Sequence, residues 1–367
     1  MSAFNLNANL QRDTLFIVDE ASMISNQGLV ESAFGSGCLL DDLMEFVYGT
    51  DNGCRLLLIG DAAQLPPIGE EGSPALMASA IRSYGMQVYE ANLNEVLRQS
   101  QESGILYNAT VVRQMINVDI QIQLPKIRFS GFPDIHIVPG DELIESLASS
   151  YSRAGLDDTI VITRSNKRAN IYNQGIRSTV LDREDELCRG DQLMIVKNNY
   201  YWLKEGFIAN GDIATVQRIR NVHEQYGFRF ADVTLQFPDY DDYELTATVL
   251  LDTLMSESPS LTREQQQQLY DRIMEDYQDV PLKADRIKKL KEDRYYNALQ
   301  VKFAYAVTCH KAQGGQWSHV YIDQGYMTDD MLTPDYLHWL YTAFTRATSQ
   351  LMLVNWPAQQ VEQEIST

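Results

Sequence analysis

The sequence predicts an α/β fold built on parallel sheets and interrupted by a small β-barrel-like insertion. Three observations carry this: short apolar runs that each end in a polar cluster, helix-like stretches between them, and a middle region of short strands bounded by Gly, Asn and Asp. Leu15-Phe16-Ile17-Val18 precedes Asp19-Glu20, Leu56-Leu57-Leu58-Ile59 precedes Gly60-Asp61, and Thr159-Ile160-Val161-Ile162 precedes Thr163-Arg164-Ser165-Asn166. Continuous apolar character suits strands covered on both faces. Later strands are expected over 302–307, 319–323 and 350–354, with a helix over 334–346. In such sheets ligands gather at the carboxyl ends of the strands.

The middle reads as strands over 191–199, 211–216 and 231–237. A Gln-rich, charged segment from Leu261 to Arg294 follows, with Leu269, Ile273 and Tyr277 at helical spacing, and is expected to be helical and largely solvated.

Composition narrows the function classes. The 367 residues suffice for two or three domains, and 44% hydrophobic with 22% charged residues argues against a disordered chain. Lys and Arg number 30 against 50 Asp and Glu, a net charge of −20, so any polyanion has to be held by a local patch rather than by the whole-molecule field. Cys38, Cys54, Cys188 and Cys309 are scattered without a C-x-x-C pair, which suits reduced thiols. No leader pattern and no run of about 18 apolar residues occurs, so a cytoplasmic protein without membrane association is expected.

Chemistry concentrates at the strand ends. Asp19 and Glu20 leave the first strand together: in a nucleotide hydrolase such an Asp holds Mg²⁺ and the Glu polarises water, whereas the bland alternative is a turn favouring the next helix N-terminus. Gly60-Asp61-Ala62-Ala63-Gln64-Leu65-Pro66-Pro67 leaves the second strand. Gln64 can donate to a phosphate oxygen and orient water, or the segment is an ordinary Pro-rich connection.

These strings, in this order, resemble superfamily 1 nucleic-acid helicases of the RecD/Dda-like group. Asp19-Glu20-Ala21-Ser22 resembles motif II (Walker B), Gly60 to Pro67 motif III, Leu93-Asn94-Glu95-Val96-Leu97-Arg98-Gln99 motif IV, Tyr305 to Gly314 motif V, and Tyr341-Thr342-Ala343-Phe344-Thr345-Arg346-Ala347 motif VI. The resemblance implies two RecA-like P-loop NTPase domains, the first truncated, with an SH3-like barrel in the second. Its expected boundaries are 1–94 (domain 1A), 95–190 (first part of 2A), 191–298 (2B) and 299–367 (second part of 2A). It implies ATP and Mg²⁺ as cofactors, single-stranded DNA as partner, and 5′ to 3′ translocation with unwinding.

By the same resemblance, Asp19 holds Mg²⁺, Glu20 activates water, Asp61 and Gln64 serve the nucleotide, and Arg98 and Arg346 stabilise the transferring phosphate. A planar, permanently charged arginine in that position is worth ~10³–10⁵ in rate; an arbitrary arginine in so acidic a chain is more often in a surface ion pair. Thr308, His310, Lys311 and Gln313, followed by Gly314-Gly315, can satisfy the phosphates of a single strand, although a lone His commonly serves a local hydrogen bond. Thr163 and Asn166 resemble the strand-contacting element motif IVa; Asn166 is equally suited to a helix N-cap. Tyr200, Tyr201 and Trp202 offer either stacking surfaces or barrel packing.

One motif is missing. No Gly-Lys dipeptide occurs, hence no Gly-x-x-x-x-Gly-Lys-[Ser/Thr] loop to wrap phosphates, and eighteen residues precede Asp19. The expectation is an ATPase-deficient polypeptide with apolar faces exposed around 15–18 and 56–59, and three explanations stay open: a sequence begun late, a natural degenerate fragment, or a protein completed by another chain. The rivals are a non-catalytic nucleic-acid-binding or assembly subunit, and the helicase subunit of an exonuclease complex.

Overall fold

The structure, a computed structural model, describes residues 6–27, 36–93, 102–116 and 123–363. The chain divides into two compact units, one of Met1–Asp134, Tyr326–Thr345 and Ala358–Thr367, the other of Ile135–Gly325 and Arg346–Pro357.

The first unit starts with β1 (Leu15–Val18), α1 (Leu39–Tyr48), β2 (Arg55–Leu58), α2 (Ala78–Arg82) and α3 (Gly104–Ile116). β1 and β2 are parallel neighbours, with Leu15 opposite Arg55 and Val18 opposite Leu58. α1 buries Leu40, Met44 and Val47, spaced at one helical face, and carries Asp41 and Asp42 in its first turn, where the helix dipole favours them. Val18, Leu56 and Leu58 pack with Leu40 and Met44 on one face of the strand pair. The opposite face does not follow the expectation of double cover: Leu15 is 54%, Ile17 61% and Leu57 43% exposed. A period-two alternation is thus imposed on an all-apolar run, because one side alone is packed among the described residues.

The second unit holds a five-stranded parallel sheet and a closed barrel. β3 (Ile135–Val138), α4 (Leu143–Arg153), β4 (Thr159–Thr163) and α5 (Asn166–Gly175) lead into β5 (Gln192–Ile195), β6 (Ile213–Gln225), β7 (Phe228–Phe237) and β8 (Tyr243–Leu250). α6 (Arg263–Glu275), α7 (Lys283–Lys291) and β9 (Leu299–Phe303) follow, then β10 (Ala306–Thr308), α8 (Cys309–Ala312), β11 (Trp317–Asp323) and β12 (Ala347–Val354). The sheet order is β10-β4-β11-β12-β3, and β5 to β9 close the barrel. β4 is buried along its whole length, as its uninterrupted apolar run predicts.

Two expectations are corrected here. The strand expected over 302–307 is two strands: Lys302 and Phe303 end β9 in the barrel, while Ala306 and Val307 begin β10 in the sheet. The two residues between are held on both sides, Ala304 N–H donating to Gln192 O and Val161 N–H to Tyr305 O, each at 2.9 Å. The barrel therefore runs past 298 to include Leu299–Phe303, and it gains β8, which the sequence reading omitted. The segment from Leu261 to Arg294 forms two helices. α6 opens on a capping box between Thr262 and Gln265 and buries Leu269 and Ile273 against Phe228 and Phe230, while most of the segment stays exposed, as its spacing and charge predict.

Returning to the first unit, α9 (Pro334–Phe344) begins with proline at N1 and is buried from Tyr336 through Phe344. It packs against α3 in that unit, which separates it from the 299–367 block to which the sequence reading assigned it. Among the described residues no helix is long and apolar enough to cross a membrane.

Candidate functional site

In the first unit the exits of β1 and β2 lie side by side. Ile59 N–H donates to Val18 O and Ala21 N–H to Ile59 O, each at 2.9 Å. Glu20 adopts a left-handed conformation (φ 52°), and its N–H donates to Asp19 Oδ1 at 2.8 Å. A carboxylate residue there costs backbone strain, the kind of geometry that clusters at working sites. Gly60 makes the approach possible, since a Cβ on it would stand 3.0 Å from Ser22 N.

The Gly60–Pro67 loop is fixed by groups far away in sequence. Asp61 Oδ1 accepts from Ala63 N–H at 3.0 Å, and Oδ2 accepts from Arg113 at 3.1 Å and from the Tyr341 hydroxyl at 2.6 Å. Burial, reinforced by the Asp61 carboxylate, pushes the Tyr341 hydroxyl up to about 12, so it remains a donor at neutral pH. Leu65 N–H donates to Thr342 Oγ1 at 2.8 Å, and His338 Nδ1 lies 2.9 Å from Ala63 O and 3.0 Å from Gln64 O. Gln64 is buried, and its Oε1 has no partner among the described residues. The loop thus presents an immobilised amide while Asp61 is engaged by three protein donors. Arg113, His338 and Thr342 escaped the sequence reading, as did the locking role of Tyr341. Arg98 lies outside the described residues.

A second cluster lies in the second unit at the carboxyl ends of β4 and β10, where Thr163 and Thr308 are registered neighbours. Thr163 is fully buried and its hydroxyl donates to Ser165 O at 3.0 Å, so it holds the turn rather than offering a surface. The N-cap of α5 is Ser165, whose side chain accepts from Arg168 N–H at 3.2 Å, and Asn166 is the first helical residue. The capping alternative for Asn166 is therefore corrected by one position. His310 is exposed on α8, and Lys311 Nζ donates to Asn210 Oδ1 at 2.5 Å from the β5–β6 loop. Burial lowers the Lys311 ammonium, and Lys302, buried nearby, is lowered to about 8 by burial and then by the Lys311 charge. Gln313 follows α8, and a Cβ on Gly315 would collide with the Trp317 ring at 2.4 Å. Arg346, 4% exposed, donates from Nη1 to Gly315 O at 3.1 Å, bracing this loop from the start of β12.

Residues 303–354 match the UvrD-like helicase C-terminal domain. The UvrD-like segment begins at the end of β9, runs through β10, α8, β11 and α9, and closes with β12, so it contains Thr308, His310, Lys311, Gln313 and Arg346. The helicase resemblance read from the motif strings is borne out on this segment, and the α/β fold with a barrel in its second part is borne out by the architecture. No curated protein matches the chain. Among solved structures the chain is similar to Bacteroides Pif1 bound to ssDNA (15% identity, 95% of this chain and 72% of that one, TM-score 0.49). It is also similar to a Bacteroides Pif1 helicase in complex with ADP-AlF3 and ssDNA (14%, 95% and 72%, TM-score 0.46). Pif1 helicase from Candida albicans gives 16% identity over 96% and 74% of the two chains, TM-score 0.41.

Among the described residues no group of three or more His, Cys, Asp or Glu is placed to hold a metal ion. Asp19, exposed and with one oxygen engaged by Glu20 N–H, fits the manner in which Mg²⁺ is shared between one carboxylate, water and substrate phosphates.

Proposed function

We propose that this chain is a helicase-type protein that holds single-stranded DNA at the carboxyl ends of β4 and β10. The observation carrying this is that the UvrD-like match falls on the segment delivering Thr308, His310, Lys311 and Gln313 to that edge, with Asn166 beside them. Hydroxyl, imidazole, ammonium and amide groups bind phosphates without reading bases, which suits movement along any sequence. In an acidic chain this local cluster supplies the attraction that the net charge denies.

The parent activity in this reading is ATP-driven translocation in the 5′ to 3′ direction by a cytoplasmic protein. Asp19 holds Mg²⁺, which supplies charge neutralisation at the phosphates; Glu20 orients water, Gln64 meets the terminal phosphate, and Arg98 and Arg346 stabilise its transfer. Asp61 acts on Gln64 through the loop it locks. The residues from Met1 to Thr367 carry no Gly-Lys phosphate loop and by themselves hydrolyse ATP negligibly; the exposed Leu15, Ile17, Leu57 and Ile59 offer the apolar face on which a loop-bearing segment, of the same polypeptide or of another, would pack.

Fluorescence anisotropy of a labelled oligothymidylate against salt tests the strand site. Lys311→Ala is expected to weaken binding on every sequence and to reduce the salt slope by about 0.7, the share of one phosphate contact. An unchanged slope removes Lys311 from the site. In a phosphate-release assay the chain is expected to stay at background with Mg²⁺ and ATP; turnover abolished by Glu20→Gln would show a complete motor instead.

A further inference from the structure

At one end of the barrel the β5–β6 loop meets the β7–β8 turn, and the surface between them is aromatic and acidic at once. Trp202, Phe207, Phe237, Tyr240 and Tyr243 border a cavity of about 740 Å³. Tyr200 packs on Phe207 with ring centroids 5.1 Å apart and extends the strip. Phe207, Tyr240 and Tyr243 are about half exposed, a costly state for three neighbouring rings in water. They are also held in place: the Tyr240 hydroxyl donates to Asp212 Oδ1 at 3.1 Å, and Asp212 Oδ2 accepts from Ala209 N–H at 2.8 Å.

The charges around these rings have one dominant sign. Asp241 and Asp242 both adopt positive φ (51° and 57°), forming the tight turn that leaves them, Asp239 and Glu244 exposed. Glu205 and Asp212 line the cavity beside them, and Lys204 is the single cation among the lining residues. A nucleobase stacked on these rings would carry its phosphate into six carboxylates, so the electrostatics disfavour a nucleic-acid strand here. Flat ring faces set in an acidic rim instead complement pyrrolidine rings interspersed with cations. A proline-containing segment is already extended, so it loses little conformational entropy on docking.

We propose that this end of the barrel docks an extended, basic, proline-containing peptide segment of a partner protein. The rings take the prolines and the acidic rim takes the arginines or lysines. The β5–β6 loop is shared with the β4–β10 edge, since Lys311 donates to Asn210 of that loop, but the rings and rim carboxylates are not among the residues assigned to DNA there.

The probe is a fluorescein-labelled decapeptide alternating proline and arginine, titrated with the full chain and followed by anisotropy. Comparison peptides alternate glycine with arginine and proline with glutamate, and a labelled decathymidylate is the nucleic-acid arm. The proline–arginine peptide is expected to bind about ten-fold more tightly than the glycine–arginine peptide, and the proline–glutamate peptide not to bind. Phe207→Ala with Tyr243→Ala is expected to weaken the proline–arginine complex about ten-fold. Asp239→Lys with Glu244→Lys, both exposed and outside any core, is expected to weaken it similarly and keeps the test independent of folding. Equal binding of the two arginine peptides, or binding unchanged by the rim substitutions, would reduce the effect to bulk charge and overturn the proposal. So would absence of binding, or decathymidylate binding that falls with Phe207→Ala, which would make the surface a base-stacking platform.

Discussion

Asp191→Ala is expected to lower the unfolding free energy of the second unit by about 3–5 kcal/mol, the cost typical of removing one partner from a buried ion pair. Asp191 is fully buried, and five donors converge on it. Arg177 donates through Nε at 3.1 Å and Nη2 at 3.0 Å, Arg183 through Nη1 at 3.0 Å, the Tyr305 hydroxyl at 2.8 Å and Cys188 N–H at 2.7 Å. Arg177 is itself 6% exposed and lies over the Phe303 ring at 4.3 Å, so without the carboxylate its charge is stranded where water cannot reach. The network ties the end of α5 to the start of β5 and to the residues between β9 and β10, so the loss should register in both barrel and sheet. Urea unfolding checks this, and a loss below about 1 kcal/mol would mean the arginines find other partners.

The second large effect concerns Lys302. It is buried at 8% exposure with its ammonium donating to the carbonyls of Thr253 and Ser256, and it meets no carboxylate among the described residues. Its folded-state value near 8 lies below the ordinary 10.5. Between those two values the unfolded chain binds the proton and the folded chain releases it, so this residue makes stability rise as pH climbs from about 8 towards 10.5. The slope approaches about 1.4 kcal/mol per pH unit for one proton. Lys302→Met is expected to abolish that contribution, seen as the difference between wild-type and variant urea midpoints across the window. Parallel curves would place the Lys302 titration at its ordinary value.

Much of this architecture is legible from local pattern, and the exceptions share a cause. Leu15–Val18, Thr159–Thr163 and His319–Asp323 announce their strands through apolar runs closed by polar groups, and the Thr308–Gln313 string marks the strand end that carries the helicase likeness. Nothing local shows that one run passes from barrel to sheet at Ala304 and Tyr305, because the break is imposed by Gln192 and Val161 across the fold. Tyr243–Leu250 was missed since its alternation is blurred by polar Thr246 and Thr248, the latter buried opposite Asp232. The loop around Gln64 looks self-contained in sequence, yet its geometry depends on Thr342 and His338, more than 270 positions away. Residues that act by holding others leave no spacing signature near what they hold.

The placement of β4 beside β10 has one more consequence. Val161 pairs with Ala306, one residue after Tyr305 O accepts the Val161 N–H. The polypeptide leaves for the barrel after one of these strands and comes home on the other. The whole excursion hangs from two adjacent threads of a single sheet, like a bucket on a doubled rope. Any tug on the barrel is therefore felt first at Thr163, where β4 ends, and at Ala306, where β10 begins two residues before Thr308 of the proposed DNA edge.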